Sequence, residues 1–111
     1  MNLFLYLIIN GLAVFITAYL LPGVVVKDFF TAIVVAVILG IINALIKPVL
    51  IILTLPLNIL TLGLLTFVIN GFLILLTSAL VPGFNVKSLL TAIIFSLILS
   101  IISSFLRWLS K

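Results

Sequence analysis

Residues 22–33 read PGVVVKDFFTAI, and residues 82–93 read PGFNVKSLLTAI. The two stretches stand 60 positions apart and share Pro-Gly, Val-Lys and Thr-Ala-Ile without a gap. The register extends outward on both sides. Asn10-Gly11 falls on Asn70-Gly71, Thr17 on Thr77, and Ile41-Ile42 on Ile101-Ile102. Agreement at Leu and Ile says little in an apolar chain, whereas agreement at Asn, Thr, Pro, Gly and Lys says a great deal. In each copy the turn Pro22-Gly23 or Pro82-Gly83 and its Val-Lys loop separate two long apolar runs. That is the pattern of a helical hairpin.

The composition fixes the solvent of these hairpins. Of 111 residues 68% are hydrophobic, 5% are charged, and mean hydropathy is +1.79. A water-soluble domain carries about 25% charged residues. With so few, the chain has no polar coat, and it reads as an integral membrane protein whose first partner is the lipid bilayer. Span lengths follow from a hydrocarbon core about 30 Å thick, which takes about 20 helical residues. The expected spans are 2–21, 28–46, 57–81 and 88–106. The first is expected to be retained rather than cleaved, since no Lys or Arg precedes its apolar core.

The expected fold class is an all-α membrane protein of four transmembrane helices, arranged as two tandem hairpins. Repeat 1 covers 1–46, a connector covers 47–56, and repeat 2 covers 57–111. Two spans per unit return the chain to its starting side. The repeats are therefore parallel and related by a pseudo-two-fold axis along the membrane normal. The connector, marked by Lys47, Pro48 and Pro56, is too short to span and is expected to lie at the interface or to dip in re-entrantly. Asn58, just past Pro56, is placed to help start the third span.

Four spans put both termini on one side, with Lys47, Arg107 and Lys111; Lys27 and Lys87 lie opposite. The count of three basic residues to two favours termini on the cytoplasmic side of the membrane. Tyr6, Tyr19 and Trp108 fall near span ends, as an aromatic belt places them.

Two sets of residues inside the spans stand out. Ala32, Ala36, Gly40 and Ala44 form a small-residue ridge on the second span, and Ala92, Ser96, Ser100 and Ser104 occupy the equivalent positions of the fourth. Such ridges let backbones approach closely, so spans two and four are expected to cross at the pseudo-axis, or else to pack within their hairpins or against another subunit. The second set is polar: Asn10, Thr17, Asn43, Asn70 and Thr77. Asn10 and Asn70 fit either a hydrogen-bonded clamp between spans one and three or the lining of a polar path. Asn43, near Lys47, is placed to cap its span or contact the connector.

Most chemistry is excluded. The chain holds no Cys and no His, and Asp28 is its only carboxylate side chain. A carboxylate pair, a nucleophile with its base and a metal site all lack their parts, so no enzyme, metal or cofactor is expected. The basic residues stand singly among apolar runs, which gives nucleic acid no stripe to follow.

Leu55-Pro56-Leu57-Asn58-Ile59-Leu60-Thr61-Leu62-Gly63, with the two Asn-Gly pairs, the Pro-Gly turns and Lys47-Pro48, resembles the bacterial four-span family grouped as mycobacterial phage holin superfamily IV. The resemblance covers essentially the whole chain. It implies a small inner-membrane protein with no established catalytic set. The short basic end, Arg107 to Lys111, differs from the strongly basic tail of many phage holins and argues against lysis. Three functions compete: a structural or envelope-stress protein that binds lipid or a membrane protein partner, a holin-type pore built as a homo-oligomer, and a small passive carrier. A pore needs the oligomer, because four spans enclose no wide channel.

Overall fold

The computed structural model describes residues 3–110. Asn2, the first residue of the first expected span, and Lys111 lie outside the described residues. The chain runs α1 (Leu3–Leu20), β1 (Val24–Val26), α2 (Phe29–Leu45), α3 (Lys47–Leu53), α4 (Leu55–Leu60), α5 (Leu64–Leu80), β2 (Phe84–Val86) and α6 (Leu89–Leu109). Among the described residues three stretches are long and apolar enough to cross a membrane: Leu3–Leu20, Phe29–Leu53 and Leu89–Leu109. At 17 residues α5 is also apolar but shorter, about 26 Å at 1.5 Å per residue.

Local sequence accounts for most boundaries. Asp28 begins α2 by accepting the Thr31 N–H at 2.8 Å, and Ser88 begins α6 by accepting the Thr91 N–H at 3.2 Å. The backbone and hydroxyl hydrogen bonds of Thr31, with Lys27 nearby, hold the exposed Asp28 carboxyl below the usual carboxylate range. Pro48 and Pro56 sit in the first turns of α3 and α4. Neither can donate to the carbonyl four residues back, and the helix is interrupted just upstream, at Ile46 and Thr54.

One expectation changes here. Residues 47–53, the greater part of the expected connector, form α3; Ile46, between it and α2, keeps right-handed helical angles (φ −95°, ψ −42°), and Phe29–Leu53 together make a 25-residue apolar helical stretch. The expected span 57–81 is not one helix. Leu62 (φ 58°) and Gly63 (φ 89°) both take left-handed angles and part α4 from α5. The Gly63 N–H reaches Asn58 O at 2.8 Å and the Leu62 N–H reaches Ile59 O at 3.1 Å, the Schellman pattern that ends a helix.

The four long helices form a ring in which α1 neighbours α2 and α6, while α5 neighbours α6 and α2. Thus α2 and α6 lie on a diagonal, and among the described residues they do not form the extensive seam that a crossing of spans two and four would make. The close seams lie within each hairpin. A Cβ built on Gly11 would meet Ile33 Cγ1 at 2.6 Å, and one on Gly71 would meet Ile93 Cγ1 at 2.5 Å.

At the end remote from the termini, β1 and β2 pair antiparallel, with Val25 opposite Asn85. Bonds from the Lys27 N–H to Gly83 O at 2.9 Å and from the Lys87 N–H to Gly23 O at 2.8 Å extend the ribbon. Gly23 and Gly83, at φ 95° and 88°, make the turns into it. The ribbon pairs backbone groups that lipid would leave unsatisfied. Outward faces remain apolar, with Phe4, Phe30, Leu62, Leu90 and Ile101 strongly exposed, as a lipid-facing surface requires.

Candidate functional site

The splay of the ring opens toward the termini. The small-residue ridge is closed at the ribbon end, where Ala32 and Ala92 are fully buried, and Ala36 and Ser96 continue it inward. One turn further, Gly40 and Ser100 face open space instead of a helix; a Cβ on Gly40 would meet nothing within 4 Å. Close packing at Gly40 is therefore replaced by a cavity. Ala44 is exposed.

This cavity, about 320 Å³, lies between α1, α2 and α6. From α1 it takes Tyr6, Asn10 and Val14; from α2, Ala36, Leu39, Gly40 and Asn43. From α6 it takes Leu99, Ser100, Ser103, Ser104 and Arg107. The spacings of three, four and seven put each set on one helix face. A second cleft of about 80 Å³ lies between α2, α5 and α6, lined by Leu39, Asn43, Lys47, Asn70, Ile74, Ser96, Leu99 and Ser100. Every residue of this smaller cleft stands 60 positions from one lining the larger, with Asn70 against Asn10 and Lys47 against Arg107. Leu39, Asn43, Leu99 and Ser100 are common to both.

The intramembrane polar residues sort themselves accordingly. Asn10 makes no clamp with Asn70. Its amide donates to Tyr6 O at 2.8 Å, and its Oδ1 accepts from Arg107 Nη1 at 3.4 Å. Asn70 lies on the diagonal helix and lines the smaller cleft. Thr17 and Thr77 are fully buried, and their hydroxyls donate to Ala13 O at 2.7 Å and Leu73 O at 2.9 Å in their own helices. They are spent on local bonds and line neither cleft. Asn58 donates to the Thr66 hydroxyl at 3.0 Å, which ties α4 to α5 across the Leu62-Gly63 turn. Pro22 and Pro82 lie exposed at the ends of α1 and α5.

Beyond the floor formed by Val14 and Ile74 the bundle closes. Val35, Leu73, Phe84 and Phe95 are fully buried there, and the rings of Phe84 and Phe95 pack with centroids 5.7 Å apart. Arg107 and Lys47 were read from sequence only as flanking charges. The signal that joins them was the 60-residue register, which aligns Lys47-Pro48 with Arg107-Trp108.

Comparison with known proteins fits this architecture. Residues 1–105 match the family described as mycobacterial 4 TMS phage holin, superfamily IV. The membrane protein YvlD of Bacillus subtilis, itself described as uncharacterised, is 36% identical over 96 residues, covering 86% of this chain and 81% of the relative. A Streptomyces coelicolor protein, also described as uncharacterised, is 46% identical over 77 residues, covering 66% of this chain. The chain spans 62% of that relative's length. No solved structure matches. A mostly helical, apolar chain with a polar cleft and a family match across almost its full length belongs to the mycobacterial four-span phage holin superfamily IV.

Proposed function

We propose that the chain is a non-catalytic, non-conducting protein of the bacterial cytoplasmic membrane with a structural role, built from two parallel tandem hairpins. One observation carries the reading. The polar cleft opens toward the termini and ends on a dry layer in which Val14, Val35, Leu73, Ile74, Phe84 and Phe95 are each at most 2% exposed. The hydroxyls beside that layer, Thr17 and Thr77, are bonded within their own helices, so among the described residues they offer no polar path on to the ribbon. The 60-residue correspondence of the two clefts supports the tandem arrangement.

The competing reading, a holin-type homo-oligomeric pore, draws on family membership. Vesicles of phosphatidylethanolamine and phosphatidylglycerol carrying a potassium diffusion potential separate the two. With the protein inserted, the potential is expected to decay at the protein-free rate. Rapid collapse, with release of an entrapped dye, overturns the reading in favour of the pore.

Orientation follows from charge: Lys47, Arg107 and Lys111 at the termini side exceed Lys27 and Lys87 at the ribbon by one. The natural chain has no cysteine, so single cysteines report cleanly. In intact cells an impermeant maleimide is expected to label Asn85→Cys and to spare Ser110→Cys. The reverse pattern places the termini outside.

A further inference from the structure

We infer that the paired cleft binds a phosphate-bearing anion, held by Arg107 in the larger lobe and Lys47 in the smaller. The first argument is charge. The only carboxylate side chain of the protein, Asp28, caps α2 at the ribbon end, whereas Arg107 and Lys47 line the cleft near the opposite end. Arg107 makes one side-chain hydrogen bond among the described residues, the long 3.4 Å contact to Asn10 Oδ1, which leaves most of its five donors free. A half-buried guanidinium without an anion is costly, and the planar fork fits a phosphate with two parallel bonds.

The second argument is independent of charge. Ser103 is 6% exposed and faces the cavity, yet its hydroxyl has no hydrogen-bond partner among the described residues. Ser96, on the same helix, satisfies itself by donating to Ile93 O at 2.8 Å. Ser100 and Asn43, on the wall common to both lobes, likewise make no side-chain hydrogen bond among the described residues. Ser103 Oγ opens onto the cavity rather than being sealed, Ser100 and Asn43 are exposed on its wall, and donors left open in this way are free to bind a polar occupant. Two cations with neutral donors between them form an anion site, and about 320 Å³ lies within the roughly 300–1,000 Å³ of small-ligand pockets. Basic pockets between membrane helices accept anionic lipid headgroups. A phosphodiester headgroup and free phosphate share this chemistry, and the experiment distinguishes them.

The test uses the full chain in an uncharged maltoside detergent, with binding followed by thermal shift and native mass spectrometry. Phosphatidylglycerol is expected to bind and raise the melting temperature, while phosphatidylcholine is not. Arg107→Gln, which keeps an amide for Asn10, is expected to weaken binding roughly tenfold to a hundredfold, the scale of a charged hydrogen bond. Lys47→Gln acts in the same direction, and Ser103→Ala weakens it roughly twofold to tenfold, as a neutral bond does. Without lipid none of the three variants is expected to melt below the parent, and Arg107→Gln is expected to melt at or above it, because it removes the guanidinium that the empty cleft leaves unpaired. Saturable binding of inorganic phosphate that competes with the lipid and is lost in Arg107→Gln also supports the site, and assigns it to soluble phosphate. Equal binding of both lipids, or phosphatidylglycerol binding unchanged in the Arg107→Gln, Lys47→Gln double variant, overturns the proposal. The inference goes beyond the non-conducting reading and fails separately from it, because a leak across vesicles leaves the detergent titration unaffected.

Discussion

Phe84→Ala is expected to destabilise the protein by about 2–4 kcal/mol, somewhat below the about 3–5 kcal/mol typical of a water-soluble core. The ring is fully buried, packs on Phe95 at 5.7 Å, and sits on the ribbon where β2 pairs with Val26 of β1. Two terms contribute to such a loss. The transfer term shrinks in a membrane protein, because the alternative surroundings of the ring are lipid tails as apolar as the core. The cavity term stays, since the contacts of Phe95 are lost whichever solvent surrounds the bundle. Phe84→Val, which installs the residue found 60 positions earlier at Val24, is expected to cost distinctly less. Unfolding in mixed micelles with increasing dodecyl sulfate measures both. The ring also belongs to the dry layer beyond the cleft, so Phe84→Ala vesicles are expected to lose their potential faster than parent vesicles. Parent-like stability together with a parent-like potential would remove Phe84 from both roles.

Some features of this architecture are written locally and others are not. Pro22-Gly23 and Pro82-Gly83 end their helices because a proline cannot continue the ladder and a glycine takes the positive φ of the turn. Those positions can be read residue by residue. The ribbon cannot: Val24–Val26 finds its partner 60 residues away, and a three-residue apolar run carries no period of its own. Leu62 was missed for a different reason. A leucine at φ 58° opposes its own backbone preference, and only the Gly63 N–H bond back to Asn58 O reveals why the helix stops there. The ridge is the most instructive case. Small residues at four-residue spacing permit close approach but do not require it, and the same pattern serves a seam at Ala32 and an open wall at Gly40. What decides between them is the splay of the ring toward the termini, a property of the assembled bundle. The cleft cations were hidden likewise, because a lysine or arginine at a span end has an ordinary explanation in membrane topology.

That distinction between seam and wall gives the sharpest contrast in sign. Gly11→Ala and Gly71→Ala are each expected to destabilise by about 1–3 kcal/mol, the range for overpacking a filled site. Because the two seams share no partner residue, the double variant is expected to lose about 2–6 kcal/mol. An opposing effect must be weighed: alanine is favoured over glycine in a helix interior by about 1 kcal/mol in water. In lipid that advantage is smaller, because exposed glycine backbone has no water to compete for its hydrogen bonds. The geometry then decides. A Cβ at Gly11 would lie 2.6 Å from Ile33 Cγ1 and 3.2 Å from the Ile33 Cα; at Gly71 the Ile93 N lies 3.1 Å away. A side chain can rotate, but the facing backbone yields only if α2 moves from α1, or α6 from α5. At Gly40 no atom stands within 4 Å, so Gly40→Ala is expected to be neutral or to stabilise by up to about 1 kcal/mol. Adding Ile33→Ala, which removes Cγ1, to Gly11→Ala is expected to cost less than the sum of the two single changes. Dodecyl sulfate unfolding of the parent, the two single variants and the double variant closes that cycle. Equal stability for Gly11→Ala and Gly40→Ala would mean that the hairpin seam tolerates a Cβ, and that the helices are held at their separation by something other than contact at Gly11 and Gly71.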